Sequence, residues 1–318
     1  MNTIGVLTSG GDSPGMNACI RSVVRYGLSQ GLKVVGIRNG YAGIFEEDFI
    51  KMTERSVGNI IHVAGTILKT SRCKEFYSPE GIDRAAEILK KNGIDGLVVI
   101  GGDGSMRGAQ QLALRGILTA CVPGTIDNNL FYTDYTLGYD TAVNTVVELI
   151  NNVRNTSVSH GRVAVVEVMG AGCGDIALSS GLATGADVIL VPEMKWSIDE
   201  VCQKLEEARR HHKEVSIIVV SELVCEPKDL CQIITKKCDI ECRPVILGHT
   251  QRGGTPTAFD RNLGTWYGAK AVDALMQGES GAVGYRGGKY ILVSFDDAFN
   301  GKRKFNADEY ILAQKLSF

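Results

Sequence analysis

Apolar residues fall in two alternating patterns along the chain. Short, nearly continuous runs read as buried strands: Ile4 to Thr8, Lys33 to Arg38, Leu97 to Ile100, Val163 to Val168, Val188 to Val191, Ser216 to Val220 and Val245 to Leu247. Between them lie stretches with helical spacing. Ile20, Val23, Val24 and Leu28 give one apolar face to a helix opening at Pro14, which suits a first turn, with Asp12 or Ser13 as its cap. Gly81 to Lys91 is amphipathic, and Asp140 to Asn155 carries Val143, Val146, Val147, Ile150 and Val153 at helical intervals. Ser197 to Lys213 has the Ser-x-x-Glu start of a capping box, and Asp260 to Gln277 is a further helix. From Ser56 to Phe76 the period is lost; a short helix and then a loop are expected.

Strands alternating with helices predict an α/β fold: two similar three-layer domains, each a mostly parallel sheet flanked by helices. A boundary is expected near Tyr135 to Thr141, and no low-complexity linker is present. In such sheets ligands sit beyond the carboxyl ends of the strands. Gly10-Gly11, Gly101 to Gly104, Gly124 to Asp127 and Met169-Gly170 all follow predicted strands directly.

Composition narrows the partners. The chain has 318 residues and a formal net charge of −2, so charge points to neither nucleic acid nor a membrane surface. No apolar run reaches membrane-spanning length. The start leads straight into a strand, without a basic-then-apolar leader, and the nine cysteines are scattered, so a reducing cytoplasm is expected. Cys238 and Cys242 flank a short turn, but no further Cys or His completes a zinc pattern; these read as structural thiols.

The chemistry concentrates between Val98 and Asn129. Gly101-Gly102-Asp103-Gly104-Ser105 follows a strand and leads into a helix expected to open at Ser105. Paired glycines bring backbone N–H groups close to an anion, and the helix adds the positive end of its dipole. A carboxylate in such a turn repels a bare phosphate, so Asp103 makes sense with a divalent cation between them. Asp127, in Pro123-Gly124-Thr125-Ile126-Asp127-Asn128-Asn129, is a carboxylate on a loop after a strand, where a general base can work.

With Leu7-Thr8-Ser9-Gly10-Gly11-Asp12-Ser13-Pro14-Gly15-Met16-Asn17 and Gly248-His249-Thr250-Gln251-Arg252-Gly253-Gly254, these clusters resemble the ATP-dependent 6-phosphofructokinases of the short bacterial type. Gly-Gly-Asp-Gly alone is a weak signal, shared with kinases of lipids and nicotinamide cofactors; the combination is specific and runs to about Asp297. The resemblance implies that the chain returns to its first domain near Thr250. That gives an ATP-binding domain of residues 1–138 with 251–301, and a sugar-phosphate and effector domain of 139–250 with 302–318.

It further implies transfer of a phosphoryl group from MgATP to the C1 hydroxyl of fructose 6-phosphate, a step of glycolysis. Asp127 would be the base, with Thr125 orienting the reacting groups and Arg72 bridging the phosphates. Asp103 would hold Mg2+. Gly11, Tyr41, Arg72, Cys73, Gly102, Gly104, Ser105 and Gly108 would form the nucleotide site. Arg162, Met169, Gly170, Glu222, Arg243, His249 and Arg252 would bind the sugar phosphate, Arg162 and Arg243 from a neighbouring subunit, which implies a homotetramer. Arg21, Arg25, Arg154, Asp187 and Lys213 match an effector site for ADP or phosphoenolpyruvate. Glu54 and His211 depart from its pattern, so altered control is expected. Gly104 and Gly124, where pyrophosphate-using relatives carry Asp and Lys, imply ATP as donor.

Two departures touch the site itself. Asn129 stands where the family has a second Asp, and Ala171 where it has Arg. Losing one negative and one positive group together is electrostatically coherent. Three readings stand at this point: an active kinase, a weakly active or silent paralogue paired with an active one, and a kinase for another sugar phosphate.

Overall fold

The structure is a computed structural model describing residues 1–213 and 215–317. Two compact units make up the chain: Met1–Ile126, Leu130–Thr141 and Arg252–Arg303 form the first, and Asp127–Asn129, Ala142–Gln251 and Lys304–Phe318 the second. The first opens with β1 (Thr3–Ser9), α1 (Met16–Ser29), β2 (Lys33–Ile37), α2 (Ala42–Phe45) and β3 (Phe49–Lys51). It continues with α3 (Pro79–Lys91), β4 (Gly96–Gly101), α4 (Asp103–Ala113) and β5 (Leu118–Pro123). α5 (Tyr139–Val158) leads into β6 (Val163–Val168), α6 (Asp175–Thr184), β7 (Val188–Leu190) and α7 (Ile198–Arg210). β8 (Ser216–Ser221), α8 (Pro227–Cys238) and β9 (Cys242–Ile246) follow. α9 (Ala258–Met276), β10 (Gly281–Arg286), β11 (Lys289–Val293) and α10 (Phe295–Phe299) belong to the first unit again, and α11 (Ala307–Leu316) to the second.

The first unit's sheet has seven strands in the order β11-β10-β5-β4-β1-β2-β3, parallel from β10 to β2 and antiparallel at both edges. Both faces are buried. Val6, Val98, Ile100 and Val122 face α1 and α9, while Leu7, Leu97, Val99 and Cys121 face α3 and α4. Each such aliphatic side chain removed from water stabilises the fold by about 1.5–3 kcal/mol. The second sheet, β7-β8-β6-β9, is wholly parallel. Val165, Ile218 and Val220 pack with α7 and α8 on one face, and α6 lies against β7 and β8 with α11 beside it.

The two three-layer units agree with the expected fold class, though among the described residues the sheets differ in size, seven strands against four. Several local expectations are corrected. α1 opens at Met16 rather than Pro14; its N-cap is Gly15 at φ 91°, so neither Asp12 nor Ser13 caps it. A side chain at Gly15 would also meet Leu137 at 2.7 Å. α4 opens at Asp103, two residues before Ser105. β9 runs Cys242–Ile246 instead of Val245 to Leu247. Residues 56–74 hold turns and no helix, followed by a short 3₁₀ turn at Glu75–Tyr77. β3, α2, α8, α10, α11 and the β10–β11 hairpin go beyond the elements read from the pattern. The hairpin turns on Gly287 and Gly288, both at positive φ, as a tight two-residue connection requires.

One buried carboxylate joins the return segment to the start of α5. Asp260 is fully buried, accepts the backbone N–H groups of Gly138 and Thr141 at 2.8 Å each, and takes the Thr141 hydroxyl hydrogen as well. Thr257 caps α9 by accepting from the Asp260 N–H at 3.2 Å and donates its own hydroxyl to Asp140. Two helix N-termini are thus capped through one network.

Burial pushes the Asp260 carboxyl up to about 6, against its hydrogen bonds from Thr141 and Gly138. The unfolded chain's carboxyl ionises near about 3.9. The folded state therefore holds the proton more tightly, and this contribution to stability, about 3 kcal/mol, is present at acid pH and lost as pH rises through about 6. Urea midpoints of the native chain and Asp260→Asn should show the native chain's advantage shrinking between about pH 4 and pH 7. An advantage that grows with pH would refute the assignment.

Candidate functional site

The strand register sets the site in the first unit. Ser9 of β1 pairs with Gly101 of β4, and Gly101 with Pro123 of β5, so three adjacent strands end at one level. Each continues into a glycine-bearing loop: Gly10-Gly11, Gly102 into α4, and Gly124-Thr125. The fit is tight. A Cβ at Gly101 would lie 2.5 Å from the Ser9 carbonyl and 2.6 Å from the Ser105 side chain. The Gly124 N–H donates to the Gly101 carbonyl at 3.0 Å. A side chain at Gly124 would press on Ile100 and Met16 at 3.0 and 3.1 Å, whereas one at Gly104 would meet nothing within 4 Å.

Because α4 opens at Asp103, the N–H groups of Asp103, Gly104 and Ser105 belong to its first turn, where no intrahelical acceptor exists. That turn offers donors and a positive dipole end to an anion. The Asp103 side chain is about half exposed (48 %) and pairs with Arg107 at 2.9 Å, one turn on. The Arg107 guanidinium in turn lies 4.4 Å over the Phe299 ring. Sequence reading passed over Arg107; its i,i+4 spacing from Asp103 is the signal.

Tyr41 donates its hydroxyl to the Ser105 carbonyl at 2.7 Å and stacks on Phe76 at 3.9 Å. Both rings lie under Gly108, where a Cβ would approach them to 2.8–3.0 Å. Tyr41 is thus buried beneath α4, not spread open as a platform. Arg72 is exposed on an irregular segment anchored beside it: Thr70 donates to the Gly10 carbonyl at 2.7 Å and Ser71 to the Asn39 carbonyl at 2.8 Å. Thr8 reaches the Lys69 carbonyl at 2.8 Å, and the Asn17 amide holds Val63 and Ile67 by their backbones. Cys73 next to Arg72 is partly buried, which pushes its thiol up. Arg252 donates to the Asp12 carbonyl at 2.9 Å, and a Cβ on Gly11 would strike its guanidinium at 2.6 Å. Gly11 is therefore the floor under a cation.

Thr125, Asp127 and Asn128 are buried, Asn128 in a left-handed turn at φ 52°, and Asn129 is half-buried. In the second unit the loop after β6 is held by two side chains. Gln251, fully buried, accepts from the Met169 N–H at 3.1 Å and donates to the Gly248 carbonyl at 2.9 Å. It ties Met169 to the turn that bears the exposed His249. One oxygen of Glu222 accepts from the N–H groups of Gly170 and Ala171 at 3.0 and 2.7 Å. A Cβ on Gly170 would lie 2.1 Å from the Cys173 carbonyl. Ala171 itself sits at φ 49° and Gly172 at φ 81°.

Arg162 and Arg243 meet at Glu241, at 2.9 and 2.7 Å. Burial works to raise the Glu241 carboxyl, but its two guanidinium partners outweigh it and hold it low. Of the residues expected for an effector, Arg21 and Arg25 lie on α1, Arg25 donating to the Glu54 carbonyl at 3.4 Å. Arg154 donates to the Thr184 carbonyl at 2.5 Å. Asp187 is buried, with one oxygen 2.5 Å from Lys213 and the other accepting from the Ile217 N–H at 2.8 Å. Use of Asp187 by an effector's cation would require Lys213 to move.

A single half-exposed carboxylate at a helix start fits a Mg2+ ion, which binds through one or two carboxylates together with substrate phosphates and water. Among the described residues no cluster of three or more acidic, His or Cys groups forms an all-protein cage, so the remaining ligands would come from the phosphates and solvent.

A sequence model of the phosphofructokinase family matches residues 3–275. The chain is 51% identical over 318 residues to the ATP-dependent 6-phosphofructokinase of Alkaliphilus metalliredigens, covering 100% of both chains. It is 50% identical over 316 residues to that of Paenibacillus macquariensis, covering 99% and 98%. Among solved structures it resembles phosphofructokinase from Saccharomyces cerevisiae, with a TM-score of 0.89 and 32% identity over 98% of this chain; it spans half (50%) of that longer chain. A pyrophosphate-dependent phosphofructokinase from Marinobacter aquaeolei shares the fold, with a TM-score of 0.85 at 22% identity over 97% of this chain and 86% of its own.

The left-handed Ala171 leads to a stability prediction. That conformation costs an L-residue about 1–2 kcal/mol, and glycine's extra freedom in the unfolded chain gives back about 0.5–1 kcal/mol. Ala171→Gly should therefore raise the urea-unfolding free energy by up to about 1 kcal/mol. A lowered midpoint would mean that the methyl group is packed.

Proposed function

The chain belongs to the phosphofructokinase family, and from that premise we propose how its residues divide the phosphorylation of fructose 6-phosphate by ATP, the glycolytic reaction it catalyses. The observation that carries the reading is the level ending of β1, β4 and β5, each passing into one of the glycine-bearing loops.

The first unit takes the nucleotide. The first turn of α4, from Gly102 to Ser105, faces the phosphates with N–H groups, and Gly11 lets the backbone come close. Tyr41 supports Ser105 from beneath, and Gly108 keeps α4 down on Tyr41 and Phe76. Arg72, a planar cation with several donors, bridges the phosphates, with Cys73 beside it. Asp103 would hold the Mg2+ ion, which when bound neutralises phosphate charge. Arg107 releases Asp103 for that task and stays beside it over Phe299. The open space at Gly104 leaves room for a nucleoside diphosphate leaving group, which favours ATP over pyrophosphate.

The second unit takes the sugar phosphate. Arg162, Arg243, His249 and Arg252 supply cations, and Met169, Gly170 and Glu222 shape the sugar side. Glu222 does so through the backbone it holds. Asp127 accepts the C1 hydroxyl proton while Thr125 orients the acceptor. The reaction asks for position and charge more than covalent work, and this set supplies both. Arg162 and Arg243 act in a neighbouring copy's site, in a homotetramer. Arg21, Arg25, Arg154, Asp187 and Lys213 form an effector site for ADP or phosphoenolpyruvate, altered by Glu54 and His211. The nine free thiols fit work in a reducing cytoplasm.

Steady-state assays with Mg2+ and either ATP or pyrophosphate test this reading. Turnover should require ATP. Asp127→Ala should lower kcat by about 10²–10⁴-fold, the range of a lost general base, with little change in the KM for fructose 6-phosphate. Arg243→Ala should instead raise that KM, most of the loss falling on binding. Unchanged kcat in Asp127→Ala would remove the base from this position, and equal turnover with pyrophosphate would undo the donor assignment.

A further inference from the structure

Four cysteines take no part in this chemistry and sit together in the second unit's core: Cys202 on α7, Cys231 and Cys238 on α8, and Cys242 on β9. One pair is set apart by geometry. The sulfurs of Cys231 and Cys242 are 3.1 Å apart, Cys242 donating its thiol hydrogen to Cys231. A disulfide places its sulfurs at about 2.05 Å, so closure needs an approach of about 1 Å between the start of an edge strand and the helix beside it. Nor is the pair sealed off. With Lys228, Gln232, Lys236 and Pro244 it lines a surface pocket of about 400 Å³.

We propose that Cys231 and Cys242 form a dithiol modification site, which a small hydroperoxide oxidises to an intramolecular disulfide and a dithiol reductant restores. Cys231 is the attacking group. The hydrogen bond from Cys242, with help from Arg243, holds its thiol below the usual range against the opposing effect of burial. The same hydrogen bond, with burial, pushes Cys242 up, so the proton stays there while Cys231 reacts. The Lys228 and Lys236 side chains at the pocket add positive charge around a thiolate. The Cys231 sulfur attacks the terminal peroxide oxygen; an S–O bond forms, the O–O bond breaks, and the second oxygen takes up the Cys231 proton and leaves as water from hydrogen peroxide or as the alcohol from an alkyl hydroperoxide. The Cys242 sulfur then attacks Cys231; the S–S bond forms, the S–O bond breaks, and water leaves with the Cys242 proton. Two electrons pass from the thiols to the peroxide. Cys238, by contrast, is pushed to about 12 by burial first and by its hydrogen bond with Cys202, and stays a protonated thiol.

The test uses the full chain treated with hydrogen peroxide, quenched, unfolded without reductant and digested with trypsin. Cleavage at Lys236 and Lys237 separates Cys231 from Cys242, so their bond joins two fragments. The expected result is a loss of two of the nine free thiols, a linked Cys231–Cys242 species lighter by two hydrogens, and full recovery with dithiothreitol. Cys242→Ser should abolish the linked species, and Cys238→Ser, on the same fragment as Cys242, should keep it. Nine thiols surviving an excess of peroxide would overturn the proposal. So would oxidation confined to Cys73 or Cys225, or a linkage that persists in Cys242→Ser. None of these outcomes depends on the catalytic assignments.

Discussion

A sheet buried on both faces has nowhere to put polar chemistry except beyond its strand ends, and that constraint orders the first unit. Val6, Val98 and Ile100 look one way, Leu7, Leu97 and Val99 the other, and every one is sealed under helices. What remains is the row of carboxyl ends at Ser9, Gly101 and Pro123. There the backbone must turn at once, and the neighbours leave no room for a Cβ on Gly101 and little on Gly124. The same lack of side chains that permits the turns exposes the N–H groups that an anion needs. Packing and binding are thus two consequences of one geometry.

Support for the loops comes from polar side chains acting on backbone, Thr8, Asn17 and Gln251 buried and Glu222 partly so. Gln251 fixes Met169 to the His249 turn, Glu222 fixes Gly170 and Ala171, and Thr8 and Asn17 fix the segment leading to Arg72. Each satisfies groups that would cost about 1–3 kcal/mol if left buried and unpaired. Losing one of them would therefore loosen the neighbouring backbone, and the damage would appear in the positions of other residues. Asp260 does the same for the crossing of the chain, capping α5 while its own helix is capped by Thr257.

The parts legible in the sequence were those written in local periodicity. β6 was read with its observed ends, Val163 and Val168, and α7 with its Ser197 cap, because both signals lie within a few residues. The β10–β11 hairpin and α8 were not read. The half-buried β11 at a sheet edge carries no clean alternation, although Gly287-Gly288 marked the turn. The pattern puts the start of α1 too early because Pro14 looks like a first-turn residue, while Gly15, left-handed and packed so that a side chain there would meet Leu137, comes before the helix. The loop glycines and Asp103 stood out as a motif. Arg107, Gln251 and Asp260 did not stand out as site supports, since their importance lies in partners that only the fold brings near.

The departures at Asn129 and Ala171 can be weighed on the same ground. The loop from Met169 to Gly174 takes its course from backbone bonds: Glu222 holds two of its N–H groups, Gln251 holds Met169, and Glu193 accepts from the Gly174 N–H at 2.9 Å. None of these uses the side chain at position 171. Replacing an arginine there removes a charge and leaves those hydrogen bonds in place. At position 129 the half-buried amide keeps an acceptor oxygen without a charge, so the two changes lower the local count of ions by one of each sign. Asp127 lies two residues from Asn129 in the loop after β5, and Asp103 opens α4 after β4, so neither belongs to the Met169 loop. A loop whose shape is held by its backbone can lose a charged side chain and keep its geometry.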